Sequence, residues 1–388
     1  MNKIFSEIDS IQWSELSHAY GNAEDIPERL KALFSSTNES EAEDALGSFF
    51  ANIYHQGTIY SATSYAVPFL IQALSFCPLS LKSDLLELLI CISNGMSYNI
   101  QHEHFWKDGG TWDDGRVHTE DYKKETIEQL HWVEQGILNV WQGWDDFILL
   151  LKDKNEVVRA NTPLLLISLT NGKYFPPTKS KEDAFAEIHE LFSKHLPTES
   201  SGLVRASVIS GTSYLNIAAE KKIPFLKYYL KEENPLIQII SAYFLVGYEK
   251  DATAINILVE AAKNKDETDE LFADFPWFDM RFSFSLLDLI CSFPMTYFEA
   301  FWAVLEKYIK ETRKYCTEYT VSPIVYMVFG QQKIEEMKTP LSMGQKKILQ
   351  CILETPSLWD KTDGNTSSEF RKWGLKRDKD FIRELIES

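Results

Sequence analysis

Apolar residues recur along this chain at every third or fourth position rather than every second, so nearly all of it reads as amphipathic helix. Leu81, Leu85, Leu88, Leu89 and Ile92 form one stripe, and Phe185, Ile188, Leu191, Phe192 and Leu196 a second. A third comprises Phe298, Phe301, Trp302, Leu305 and Ile309. Pro and Gly fall between the stripes, at Asn94-Gly95, Asn171-Gly172, Pro176-Pro177, Pro197 and Pro294. Helices of about 10–18 residues joined by short turns predict a stack of helical hairpins. The predicted pairs are 64–76 with 80–94, 145–152 with 156–170, 181–196 with 202–218, and 223–231 with 234–247. They continue with 251–263 and 279–292, 296–314 and 320–331, and 342–354 and 366–387. A helical cap over about 10–50 precedes them, and an extra helix is expected over 124–142. Strand-like alternation is rare.

Three turns share one grammar. Residues 150–160, 196–206 and 230–238 each run from a helix ending in Leu, through an acidic polar turn, to an apolar residue followed by Arg159, Arg205 or Gln238. Arg159 and Arg205 are 46 residues apart, and Arg205 and Gln238 are 33 apart. That spread brackets the roughly 40–47 residues of a HEAT-type unit. The acidic turn is expected to cap the second helix of each pair, where carboxylates are favoured. The arginine is placed to bridge to the acidic turn of an adjacent repeat.

On these residues the chain resembles the bacterial HEAT-repeat proteins. Two further stretches are similar to the opening of a poorly characterised subgroup of them. One runs from Trp13 through Tyr20-Gly21-Asn22 to Ile26-Pro27; the other is Tyr54-His55-Gln56-Gly57-Thr58 and its continuation to Val67-Pro68-Phe69-Leu70. The resemblance covers residues 13–250 by motif and the remainder by helical pattern. It implies an all-α superhelix of the HEAT/ARM kind, a solenoid forming one domain over 1–388. A cap at 1–63 precedes repeats at 64–354, which carry insertions at 95–122 and 264–278, and a second cap follows at 355–388. It also marks Tyr54, His55, Gln56 and Gly57 as a family motif; by residue type Gly57 breaks the chain and Thr58 or Ser61 caps the next helix, with a ligand role for His55 as the alternative. Gln238 departs from the arginine of the pattern.

Composition narrows the function more than it names it. With 44% hydrophobic and 25% charged residues the chain is an ordinary globular sequence. Its 57 acidic against 39 basic side chains give a net charge of −18. That charge repels nucleic acid and anionic membrane surfaces and favours a basic partner. Residues 1–60 hold ten acids against three bases, whereas 360–388 are balanced at seven each. Cys77, Cys91, Cys291, Cys316 and Cys351 are scattered, with no CxxC, as expected of reduced thiols in the cytoplasm. The amino terminus has no signal-peptide pattern, and no apolar window approaches the ~20 residues of a membrane span.

Enzyme templates fail. There is no Walker A loop, no GxGxxG after a strand and no GxSxG elbow. No catalytic residue, cofactor or metal site is assigned. The first insertion carries His102, His104 and His118 among carboxylates, without the alternation that would give His-x-His a shared face. It also carries Trp106 and Trp112 beside Asp113 and Asp114, and tryptophan on a polar insertion anchors either a partner or the loop itself. The second interleaves Asp269, Glu270, Trp277 and Asp279 with phenylalanines, which suits a basic protein surface or a loop with its rings tucked under. With Arg159 and Arg205, these are the candidate partner-binding residues. The reading is a non-catalytic protein-binding scaffold with an acidic concave face, in its concrete form an immunity-type inhibitor of a basic toxin. The alternatives are a HEAT-like glycosylase-type enzyme acting on nucleic acid, and a metal or small-molecule binder at 102–118.

Overall fold

A computed structural model describes residues 1–34, 39–107, 109–278, 280–330, 333–337 and 340–387. The chain is all-α, 69% helical and 2% strand. It divides into two compact units, Met1–Ala218 and Ala219–Ser388. Among the described residues no helix is long and apolar enough to cross a membrane.

The first unit contains α1 (Asn2–Asp9), β1 (Ser17–His18), β2 (Gly21–Asn22), α2 (Ile26–Leu33), α3 (Glu39–Ala51), β3 (Tyr54–His55) and β4 (Thr58–Ile59). There follow α4 (Ser61–Ala73), α5 (Lys82–Ser93), α6 (Tyr98–Trp106), α7 (Glu120–Trp141), α8 (Trp144–Leu150), α9 (Glu156–Asn171), α10 (Lys181–His195) and α11 (Gly202–Tyr214). At its centre α9 packs between α5 and α11, while α7 covers α4. Helix α9 is buried on nearly every side, from Val158 through Leu165, Leu166 and Leu169, as expected of a helix apolar all round. Small residues bring α11 close to it, so that Ser207 Oγ donates to the Ala160 carbonyl at 2.5 Å.

The repeated turns differ in detail from expectation. Uncharged side chains cap the helices: Asn155 accepts from Val157 N–H at 2.9 Å and Ser201 from Val204 N–H at 3.4 Å. The acids act two residues earlier. Asp153 accepts the Asn155 N–H at 2.9 Å and Glu199 the Ser201 N–H at 2.8 Å, which frees each carboxylate's second oxygen to pair across hairpins. Lys82 Nζ meets Asp153 at 2.5 Å, and Arg159 Nε meets Glu199 at 2.9 Å. Arg159 also donates to the Asp153 carbonyl at 2.9 Å, so the two pairs join into a ladder along the turns. The arginine does bridge to the next acidic turn, 40 residues on.

The second unit contains α12 (Ala219–Tyr229), α13 (Pro235–Leu245), α14 (Ala252–Lys263), α15 (Lys265–Leu271), α16 (Phe282–Cys291), α17 (Phe298–Lys310), α18 (Thr317–Thr320) and α19 (Ser322–Phe329). It ends with α20 (Met343–Glu354), α21 (Gly364–Lys372) and α22 (Lys379–Glu387). Helix α13 packs on α12 and α14, α17 on α14 and α20, and α20 on α22. The single helix expected over 366–387 is two, α21 and α22. Gly374, at φ +70, follows α21 and lets the chain reverse.

Both insertions are more structured than loops. Residues 95–122 contain α6, and 264–278 contain α15. Of the five cysteines Cys351 is buried and the others half-buried, and they form no disulfide. Burial raises the Cys77 and Cys351 thiols to about 11 and pushes Cys291 higher still.

Candidate functional site

The motif at 54–57 and the first insertion, 40 residues apart in sequence, come together in the first unit. Strands β3 and β4 pair in register His55 with Thr58, leaving Gln56 and Gly57 at the tip. Their φ values of +49 and +89 define a type I′ turn. Met96 then adds along β4: its N–H donates to the Gly57 carbonyl at 2.9 Å, and Ile59 N–H donates back to it at 3.1 Å. This pairing sets α6 beside the hairpin, with the Gln101 side chain over Gly57.

The cap of α4 is neither Thr58 nor Ser61. Thr63 Oγ1 accepts the Tyr60 N–H at 2.9 Å and donates to the Ile53 carbonyl at 2.5 Å. Thr58 Oγ1 gives its proton to the His55 carbonyl at 2.7 Å, closing the hairpin, so the Tyr60 hydroxyl donates into it at 2.8 Å. Burial raises the Tyr60 phenol above its usual value, with Tyr98 and Tyr20 adding to it and the Thr58 hydrogen bond opposing.

Two groups of rings lie here, one at the hairpin and one along α6. Tyr20, 68% exposed, lies edge-on to His55 at 5.4 Å. Tyr98, 39% exposed, packs on His102 at 4.4 Å and on Trp106 at 5.8 Å. Phe105 carries Trp112 at 4.7 Å. The loop after α6 turns back tightly enough that a Cβ on Gly110 would sit 2.5 Å from the Phe105 carbonyl oxygen. That approach lets Trp112 N–H donate to the same carbonyl at 2.8 Å, satisfying one orphan acceptor at the helix end.

The two tryptophans have opposite fates. Trp106 is 6% exposed, covered by Tyr122 and by the Arg116 guanidinium 4.9 Å from its centroid. It anchors the loop and is not available to a partner. Trp112 is 57% exposed and faces outward from a fixed backbone. Asp113 and Asp114 are spent locally. Asp113 accepts from Gly109 and Gly115 N–H at 3.1 and 3.2 Å, and Asp114 binds Arg116 through Nε at 2.9 Å. That guanidinium holds the Asp114 carboxyl below its usual range.

A half-buried cluster at the β1–β2 hairpin escaped sequence reasoning. His18 accepts the Tyr20 N–H on Nδ1 at 3.0 Å, so its proton is on Nε2, which donates to Asp25 at 3.0 Å. Arg29 and Asn52 complete Asp25 at 2.8 and 3.0 Å. Burial works against the Asp25 carboxylate, but the Arg29 and His18 hydrogen bonds outweigh it and lower its pKa. With both ring nitrogens engaged, His18 fastens the β1–β2 hairpin that carries Tyr20 rather than acting as a base.

The remaining candidates lie elsewhere. Arg159 is a half-buried internal tie, because Glu199 and backbone carbonyls take its donors. Arg205 occupies the equivalent position on α11, half-buried. In the second unit Asp269 accepts the Ser283 N–H and hydroxyl, both at 2.8 Å, and so secures the start of α16. Glu270 is exposed and Trp277 half-buried, while Asp279 lies outside the described residues. Asp269 lines a cleft of about 190 Å³ in which Lys265 meets Glu311 at 2.9 Å, Arg281 meets Asp269 at 3.7 Å and Arg313 meets Asp266 at 4.0 Å, so charge cancels in pairs. His102 Nδ1 turns back to the Tyr98 carbonyl at 3.0 Å, and among the described residues no three of His, Cys, Asp and Glu converge as metal ligands would.

The type I′ turn gives a direct test of the hairpin. Gly57→Ala forces a Cβ into positive φ and lowers stability by about 1–2 kcal/mol. Gln56→Gly relieves the same strain and raises stability by about 0.5–1 kcal/mol. Urea denaturation midpoints moving in opposite directions for the two variants would establish the turn; parallel shifts would refute it.

No family model matches the chain, and no curated protein matches it. Among solved structures, the crystal structure of an engineered protein is similar over 94% of this chain and 99% of its own, at 13% identity and a TM-score of 0.28. That likeness is too slight to carry a reading of fold or function.

Proposed function

We propose that the protein is a non-catalytic protein-binding scaffold whose contact surface in the first unit is the set of exposed rings Tyr20, Tyr98 and Trp112. One observation carries this reading. Trp112 is more than half exposed, yet its backbone is pinned to Phe105 and its loop is held by Asp113, Asp114 and Arg116. An exposed tryptophan on a preorganised loop gives up little conformational freedom on binding and supplies a large apolar contact. Acids outnumber bases seven to four over residues 98–125, so a partner with a basic rim fits these surroundings. An inhibitor of a basic toxin is the concrete form. The ladder through Asp153, Arg159 and Glu199 supports a HEAT-like repeat as its frame, and five cysteines that form no disulfide suit a reducing compartment.

The test compares the wild type with Trp112→Ala and Tyr98→Ala as bait in lysate of the source organism, followed by titration of the recovered protein. Removing Trp112 should weaken that partner by about 2 kcal/mol, roughly thirtyfold. Identical capture and affinity for all three baits would remove these rings from the interface.

A further inference from the structure

We propose that a second, electrostatically opposite surface exists in the second unit: a basic cleft beside α21 that binds a short acidic segment of a partner polypeptide. The cleft is an open depression of about 740 Å³. Lys333, Glu335, Arg371, Lys376 and Arg377 line it, and Gly374 packs against Lys333. Four cations therefore face one carboxylate in a chain whose net charge is −18.

None of these four cations forms an ion pair with a described carboxylate. Lys376 lies over the Phe381 ring at 5.2 Å. Arg377 is held by neutral acceptors: the carbonyls of Leu358 at 2.7 Å, Asp363 at 3.0 Å and Asp360 at 2.6 Å, and the Ser367 hydroxyl at 2.7 Å. These fix the guanidinium without cancelling its charge, and its pKa is lowered by burial, against the pull of Asp363 and Asp360. In contrast, Lys82, Arg159 and Lys265 each meet a carboxylate within 3 Å.

The form of the cleft selects among anions. It is broad and open, so it cannot enclose a small ligand as a cofactor pocket does. The amides at its glycine turn are already used: Gly374 N–H donates to the Arg371 carbonyl at 3.1 Å and Leu375 N–H to the Phe370 carbonyl at 2.8 Å. A phosphate would lack the run of free backbone donors that cradles it elsewhere. Of the nearby rings, Phe370 is buried and Trp359 is half-buried with Lys379 over it, which makes a poor platform for stacking bases. A long polyanion would also meet the field of the whole acidic chain. Separate side-chain cations along an open trough match carboxylates presented one at a time by an extended peptide.

A fluorescein-labelled peptide of alternating glutamate and glycine, titrated into the full chain at low salt, tests this by anisotropy. Arg371→Glu with Lys376→Glu should weaken binding at least tenfold, while Lys231→Glu, an exposed cation elsewhere in the unit, should change it less than about twofold. All three positions are exposed, and unchanged melting temperatures verify the fold. Absence of binding to the wild type, or an equal loss in Lys231→Glu, overturns the proposal. So does more effective displacement, charge for charge, by tripolyphosphate or a single-stranded oligonucleotide. A concentration-dependent dimer that the charge reversal abolishes would assign the cleft to a second copy and overturn it as well.

Discussion

Glu199→Ala lowers the stability of the first unit by about 3–5 kcal/mol, the range expected when one member of a buried pair is removed and the other is left charged. Arg159 and Glu199 side chains are only 17% and 6% exposed, and they meet through two hydrogen bonds, 2.9 Å from Nε and 3.2 Å from Nη2. Glu199 also holds the Ser201 N–H and lies beside His195, whose Nε2 is 3.3 Å from Oε2 but off the hydrogen-bonding line. Replacing both partners, as Arg159→Met with Glu199→Leu, should recover about half of the loss, since no uncompensated charge then remains. Urea unfolding of the two variants and the wild type measures both. A single variant within 1 kcal/mol of wild type would mean that the ladder is ornamental.

The same cluster sets an acid response. Burial depresses the His195 imidazole below its ordinary 6.5, with Glu199 opposing and Arg159 and Lys152 assisting. The Glu199 carboxyl lies below its ordinary 4.5; burial opposes this, and Arg159 and the Ser201 N–H prevail. Both groups carry fewer protons folded than unfolded, so stability increases with pH through each window. It is complete above 6.5, begins to fall as pH drops below that value, and falls again below 4.5. His195→Gln should flatten the upper step and leave the lower one; a profile identical to wild type between neutrality and pH 5 would exclude the histidine.

Phe272→Ala is the second large effect, again about 3–5 kcal/mol. Phe272 lies face to face with Phe282 at 3.7 Å and touches Phe275 at 5.4 Å and Phe278 at 6.2 Å, forming the floor beneath the second insertion. Truncation leaves a cavity the size of a ring and releases the segment joining α15 to α16. Limited proteolysis should then cut the variant first within 264–280, where the wild type resists. Phe272→Leu, which keeps most of the volume, should cost about 1 kcal/mol and leave the digestion pattern unchanged. Early cleavage elsewhere in the variant would show that the rings do not hold this segment.

The aliphatic helices were readable because their stripes repeat at helical spacing. The arginine bridge was readable because Asp153-Lys154-Asn155 and Glu199-Ser200-Ser201 set the same polar turn before the same arginine. Helix α6 was obscured because its residues are aromatic, His and Gln rather than aliphatic, so its period carries no clear apolar contrast. The β3–β4 hairpin has strands of two residues and a Gln-Gly tip, too short to alternate and without the usual Asn-Gly signal. The union of the motif with the first insertion depends on Met96 pairing beside Gly57, a tertiary contact that no local pattern encodes. Trp106 is an internal anchor and Trp112 stays exposed, because Arg116 and Tyr122 reach only the former.

The thiols offer a use unrelated to binding. Cys77, Cys291 and Cys351 hold their protons through the range in which maleimides are applied, because burial raises all three. Thiolate is the reacting species, so these positions label slowly. Cys91, on α5, and Cys316, just before α18, are half-buried and lie one in each unit. Dyes placed on that native pair would allow energy-transfer measurement of how far apart the two halves lie, with no engineered cysteine.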